Sequence, residues 1–227
     1  MGDPARVVAA RVEGGRRRAE ARHPATRRPP SAALKPLVFL ACLLPLAWLA
    51  YQAATDGLGA DPVRKLEIQT GLWTLRFLAA TLAVTPLRRL TGWGRLAPYR
   101  RMLGLFTFFY ACVHLSLWVG LDYFFAFDQM AEEIVKHRYI LVGMATWLLL
   151  LPLAVTSTKG WQRRLGGARW NRLHRLVYVA AVTGTVHYLW AVKKDTLWPI
   201  AYLATFLVLL GLRLWWTASR RSTSAPR

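Results

Sequence analysis

The sequence predicts an all-α integral membrane protein, six transmembrane helices in one bundle with both termini in the cytoplasm. Three observations predict it. The 227 residues are 55% hydrophobic, and the apolar residues gather in runs close to the roughly 20 needed to cross a bilayer. Polar loops separate these runs. The 31 Lys and Arg favour alternate loops: 24 lie in the N-terminal segment, residues 88–101, residues 157–175 and the segment from Arg213 onward. Only Arg64, Lys65, Lys136, Arg138, Lys193 and Lys194 lie in the loops between. Basic loops stay on the cytoplasmic side, which sets the orientation. The net charge of +20 is thereby explained by topology, and no nucleic-acid partner is expected although clustered basic residues are its usual footprint.

The elements follow in order. Residues 1–34 are rich in Arg, Ala and Pro with no apolar period, and read as a disordered basic cytoplasmic extension. An arginine-rich leader before an apolar run also has the form of a signal, with cleavage near Ala53 or Ala54, but further spans follow and an anchored first helix is simpler. The first span runs from about Pro36 to Ala54. A polar loop leads to the second, Gly71 to Leu87, which carries one intramembrane charge at Arg76 and ends at Pro86, Arg88 and Arg89. The third, Met102 to about Leu121, contains His114. The outer loop from Asp122 to Arg138 has the composition of a short interfacial helix. Tyr139 to Val155 form the fourth span. A basic loop, Ser157 to Arg172, leads into the fifth, within Trp170 to Lys194, and Leu197 to about Trp216 form the sixth. The helical domain is thus 35–216, and 217–227 are a cytoplasmic tail.

Chemistry-bearing residues are few. Cys42 and Cys112 both fall inside apolar spans and read as packing residues. Dinucleotide, P-loop, HExxH and CxxC patterns are missing, which leaves histidine as the candidate metal ligand. Spans three and five both run outward, so depths can be compared from their basic starts. His114 lies thirteen residues after Arg101 and eight before Asp122; His187 lies thirteen after His174 and six before Lys193. Both therefore sit at one level in the outer half. Two neutral imidazoles at one depth on two helices can supply both axial ligands of a haem filling a bundle interior. Hydrogen bonding between helices is the simpler role for a lone membrane histidine, and the matched depth argues against it for this pair. Zinc is disfavoured because no cysteine or carboxylate shares the level.

His174, beside Arg172 and Arg175, sits near the inner surface. On an ideal helix thirteen residues make roughly 3.6 turns, so His174 and His187 face different ways unless the helix is distorted near Gly184. His174 is either an interfacial residue or a ligand of an inner site whose partner is open; Met102 lies at that depth, and methionine can ligate haem iron. Arg76 either pairs with a haem propionate or snorkels to the outer surface. His23 and His137 read as surface residues. The tryptophans near the predicted interfaces read as an aromatic belt.

RRMLGLFTFFYACVH (Arg100 to His114), TSTKGWQRRLGGARWNRLHRLVY (Thr156 to Tyr178) and His187 together resemble the MsrQ (YedZ) family, within the ferric-reductase-like transmembrane group, over about residues 35–216. The arginine-rich first 34 residues depart from the compact start of that family. The resemblance implies a b-type cytochrome of the bacterial inner membrane, with one haem b or two, that passes electrons outward to MsrP, a periplasmic molybdopterin enzyme that reduces methionine sulfoxide in oxidised proteins. It implies that His114, His174 and His187 are the haem-associated histidines, that FMN binds, and that electrons come from the quinol pool or a cytosolic flavin reductase. The chain is then an electron-transfer subunit, with substrate reduction belonging to the partner. Alternatives are a stand-alone transmembrane ferric or quinone-linked reductase, and a cofactor-free scaffold or transporter.

Overall fold

A computed structural model describes residues 30–192 and 194–222. Most of the expected extension, His23 among it, and the last residues of the tail lie outside the described residues. All regular elements among the described residues are helical: α1 (Pro30–Ala54), α2 (Pro62–Thr91), a 3₁₀ turn (Gly94–Leu96), α3 (Ala97–Leu117), a π turn (Trp118–Asp122), α4 (Phe127–Lys136), α5 (Arg138–Val155), α6 (Lys159–Leu173), α7 (Leu176–Ala191) and α8 (Leu197–Ser222). The main compact unit is Phe39–Arg227. Among the described residues four stretches are long and apolar enough to cross a membrane: Leu34–Ala54, Gly94–Asp122, Arg138–Val155 and Leu197–Trp216. α7 is apolar but has only 16 residues. α2 is long enough, and charges near both ends dilute its apolar middle.

Three differences from the sequence reading have physical causes. The basic stretch after Ser157 is helical on both sides of a kink at Gly166 (φ 71°), and the Thr158 hydroxyl caps its start by accepting from the Trp161 N–H. The fifth span does not start at Trp170, because the chain breaks between Leu173 and Leu176. The distortion considered near Gly184 does not occur. Gly184 is buried mid-helix, where an added Cβ would meet Thr146 and Leu75 at 3.4 and 3.5 Å.

Helix ends and ladders are satisfied by identifiable groups. Asp61 caps α2 by accepting from the Arg64 N–H at 3.1 Å. Pro86 leaves the Leu82 carbonyl without its helical N–H partner; the Arg213 guanidinium donates to that carbonyl at 3.0 Å and to the Tyr178 hydroxyl at 2.7 Å, tying α8 to α2 and α7. In α1 the Tyr110 hydroxyl donates to Cys42 O at 2.9 Å and accepts from the Leu46 N–H at 3.2 Å. It stands in the ladder between a carbonyl and the amide four residues on. Tyr110 is fully buried, so Tyr110→Phe is expected to lower stability by about 1 kcal/mol, the helix re-forming part of its own bond. A thermal melt in detergent checks this.

α2 packs most extensively on α3, and α5 on α7; α3 also meets α5, and α8 closes on α7 and α2. One core cluster joins Leu75, Leu78 and Leu82 of α2 to Ala181 and Phe206. Another joins Ala111, Leu150, Leu153 and Ala180. Ala180 and Ala181 have no exposed surface, and such small residues let membrane helices approach closely. On the outside, Leu40, Leu44 and Trp48 of α1 and Leu207, Val208 and Leu214 of α8 are exposed, as lipid-facing positions require.

Candidate redox site between α3 and α7

α3 carries His114 and α7 carries His187. The fold brings their rings to a centroid separation of 6.2 Å with planes at 73°. Each ring is held by the backbone of a neighbouring helix. His114 Nδ1–H donates to Glu67 O of α2 at 2.9 Å, and His187 Nδ1–H donates to Tyr139 O of α5 at 2.7 Å. A carbonyl can only accept, so both rings carry the proton on Nδ1 and present the Nε2 lone pair.

The two holds share one design. Four residues after each carbonyl, hence one turn on and on the same face, stands a glycine: Gly71 after Glu67 and Gly143 after Tyr139. A Cβ on Gly71 would lie 3.3 Å from His114 Cε1, and one on Gly143 would lie 2.7 Å from His187 Nδ1. Each imidazole therefore rests on bare backbone. Its carbonyl has two lone pairs, one for the helical ladder and one for the ring.

Beside this pair the Glu67 side chain lies outside the apolar stretch Gly71–Leu87. Its Oε1 is buried without a hydrogen-bond partner. Burial, and then the Asp122 charge, push its carboxyl up to about 7. The folded state thus favours the protonated form. Below the ordinary value of 4.5 the group is neutral whether folded or unfolded and carries no penalty; the penalty grows as pH rises from there to about 7 and then levels off. Glu67→Gln, which keeps the backbone acceptor, is expected to raise the melting temperature at pH 8 and to leave it unchanged at pH 4, as paired melts would read.

His174 is placed apart from the pair, at the break between α6 and α7. Its ring stacks on Trp170 at 3.8 Å and its Nε2 lies 3.1 Å from Thr156 Oγ1. The Thr156 hydroxyl donates to Pro152 O at 2.6 Å, so the imidazole is the donor in the second bond. Burial, and then the Arg100 charge, hold His174 below the usual histidine range, keeping it neutral. Arg76 is also apart: its guanidinium lies over the Trp73 ring at 4.5 Å, in a cleft of about 280 Å³ shared with Trp48, Gln52 and Gln69. That cleft faces α1, on the side of α2 away from Gly71.

Residues 68–185 match the family model described as ferric reductase like transmembrane component. A protein of Xanthomonas euvesicatoria pv. vesicatoria named protein-methionine-sulfoxide reductase heme-binding subunit MsrQ is 50% identical over 201 residues, 86% of this chain and 92% of that protein. A protein of the same name from Herminiimonas arsenicoxydans is 49% identical over 197 residues, 86% of this chain and 90% of that one. The chain belongs to the MsrQ family.

The relatives' shared name includes haem binding, and the residues of this MsrQ-family chain fit that group. One metal ion between two imidazole nitrogens, at about 2.0–2.1 Å from each, sets ring centroids about 6 Å apart, close to the separation found. No group of three or more His, Cys, Asp or Glu able to hold a bare metal ion exists among the described residues. One turn after Gly143, the Trp147 Nε1–H is buried without a partner, a donor free for a polar group of a bound cofactor. The sequence reading missed the two carbonyls and the two glycines. Gly143 could have been found by depth, since it lies five residues after Arg138 and His187 six before Lys193.

Proposed function

We propose that this chain is a b-type cytochrome subunit of the bacterial inner membrane, carrying electrons outward to a periplasmic molybdopterin methionine-sulfoxide reductase that repairs oxidised proteins. The observation that carries the reading is the His114–His187 pair, two rings 6.2 Å apart, each tethered through Nδ1 with its lone pair left on Nε2. Haem, held there by His114 and His187, would supply a one-electron couple suited to electron transfer. The chain's own part is to hold both rings still. The carbonyls of Glu67 and Tyr139 fix tautomer and orientation, as ligating histidines generally require, and Gly71 and Gly143 let the rings reach those carbonyls.

The proposal includes six spans with both ends cytoplasmic. α2 crosses through Gly71–Leu87 and α7, though short, crosses with its flanking residues; the basic residues concentrated at the α2–α3 and α5–α7 connections support that orientation. His174 then lies at the inner end as the histidine of a second redox site, on the side where quinol or a cytosolic flavin reductase would deliver electrons. FMN enters the proposal through family resemblance alone. Arg76, facing α1 over Trp73, serves better as an outer-surface anchor than as a partner of a group held by the histidines.

The test is reconstitution. Purified chain in vesicles is reduced and mixed with a family periplasmic reductase and a methionine-sulfoxide protein. Reoxidation should require both additions. Reoxidation by a small outer-face acceptor alone, with none by the reductase, would replace this reading with a stand-alone reductase.

A further inference from the structure

We infer that α4 and the loop leading into it, residues 123–136, are the docking surface for the protein that accepts electrons at the outer face, and that this acceptor presents Lys and Arg around an apolar centre. The inference rests on the outward electron-transfer reading and adds where the acceptor sits. The surface lies next to the histidine pair. The π turn Trp118–Asp122 begins one helical turn after His114, and Tyr139, whose carbonyl holds His187, stands just beyond the end of α4. The Tyr139 ring is 6.0 Å from that of His187 and 5.7 Å from that of His137, and His137 Nδ1 lies 2.7 Å from Glu133 Oε2 of α4. A continuous line of side chains thus joins the pair to α4.

Backbone strain shapes this surface. Phe124 and Phe125 have φ of 47° and 62°, in the left-handed region that bulky side chains avoid. They are held there by the Phe125 N–H, which donates to Val119 O at 2.9 Å, and the Ala126 N–H, which donates to Tyr123 O at 2.8 Å. The consequence is exposure: Phe124, Phe125 and Phe127 are 77%, 62% and 66% exposed, and Val135 84%. Phe127, Ala131 and Val135 recur every fourth residue and share one stripe of α4. Beside it runs the stripe of Met130, which is buried where α4 packs on α5. The apolar face of α4 is therefore wider than its own fold covers, and an exposed patch of this kind marks an interaction site.

Charge selects a protein over lipid as the occupant. A helix seated on a bilayer carries Lys and Arg on its polar face, whereas α4 carries Asp128, Glu132 and Glu133 against one lysine, Lys136. That lysine is taken by Glu132 at 3.0 Å, and Glu133 is taken by His137. Asp122 and Asp128 have no ion pair among the described residues, so the rim of the patch is acidic. An aromatic centre inside a polar rim is the anatomy of a protein interface, and an acidic rim fits a basic one, which steers the encounter. One electron leaves the chain and one is gained by the acceptor at each encounter, with no bond made or broken, so a small transient interface suffices.

The test uses the full haem-loaded chain in vesicles and a family periplasmic reductase. Hydrogen exchange read by mass spectrometry should show residues 123–136 protected when the reductase is added in excess. In reoxidation kinetics with a methionine-sulfoxide protein, Phe124→Asn, which keeps a residue tolerant of positive φ, and Val135→Asn should each raise the KM for the reductase roughly fivefold. Their kcat, haem content and reoxidation by a small acceptor should stay within about twofold of wild type, as should the KM of Leu197→Asn, which removes a likewise exposed apolar side chain from the start of α8. Asp128→Asn should flatten the rise of KM with salt. Protection without reoxidation keeps the surface and sinks the electron-transfer reading. Reoxidation without protection, with KM unchanged in both variants, sinks the surface and keeps that reading. Residues 123–136 already protected by lipid before the reductase is added, with KM unchanged, belong to the bilayer, and an equal rise of KM in Leu197→Asn likewise overturns the docking surface. If neither protection nor reoxidation occurs, both fall.

Discussion

His114→Ala and His187→Ala are each expected to abolish the low-spin haem absorbance of the purified chain, whereas His174→Ala should keep it. The reasoning is geometric. The centroids of the first two rings are 6.2 Å apart and each ring keeps its lone pair on Nε2, so removing either leaves one ligand where two are needed. No substitute is at hand: Thr70 Oγ1, 3.4 Å from His114 Nδ1, donates to Leu66 O at 2.8 Å and sits on the wrong side of the ring. The loss should reach at least tenfold in bound haem per chain, read from the Soret band against protein concentration. His174 has a different setting, its Nε2–H given to Thr156 and its face to Trp170. Its removal should therefore affect only a signal distinct from that of the outer pair. Unchanged spectra for both His114→Ala and His187→Ala would end the paired-ligand model.

Much of this arrangement was legible in the residues, and the limits have physical causes. Apolar run length and the alternation of basic loops are properties of single segments, so α1, α3, α5 and α8 could be placed with one end within about one residue for α1, α5 and α8 and the other ends within about six. Depth counting paired His114 with His187, because helical rise is regular enough for thirteen residues to mean one level on two helices. The break at His174 was hidden. NRLHRLVY contains neither glycine nor proline, and the interruption accompanies tertiary contacts, the Trp170 stack and the Thr156 bond. Backbone carbonyls are hidden for a different reason: every residue has one, and nothing in the letters Glu67 or Tyr139 says that its main chain receives an imidazole. What the letters do hold is the glycine four positions later.

That glycine carries the second large effect. Gly143→Ala is expected to cost most of the bound haem, with Gly71→Ala milder, because the two seats differ in tightness. At Gly143 the new methyl would stand 2.7 Å from His187 Nδ1 and 2.8 Å from Cε1, closer than carbon atoms come in folded proteins. The ring cannot retreat without lengthening its 2.7 Å bond to Tyr139 O, and that bond fixes where Nε2 points. At Gly71 the contacts are 3.3 and 3.4 Å, which a shift of a few tenths of an ångström relieves. Overpacking of this kind typically costs about 1–3 kcal/mol, and here it falls on the orientation of a ligand as well as on packing. The check is haem content together with the reduction potential of what remains: a merely structural role for Gly143 would lower the melting temperature and leave the potential of the surviving haem unmoved, whereas a seat for His187 shifts both. Gly143→Ser should behave like alanine, since the clash is at Cβ, and rescue should come from no side chain at all.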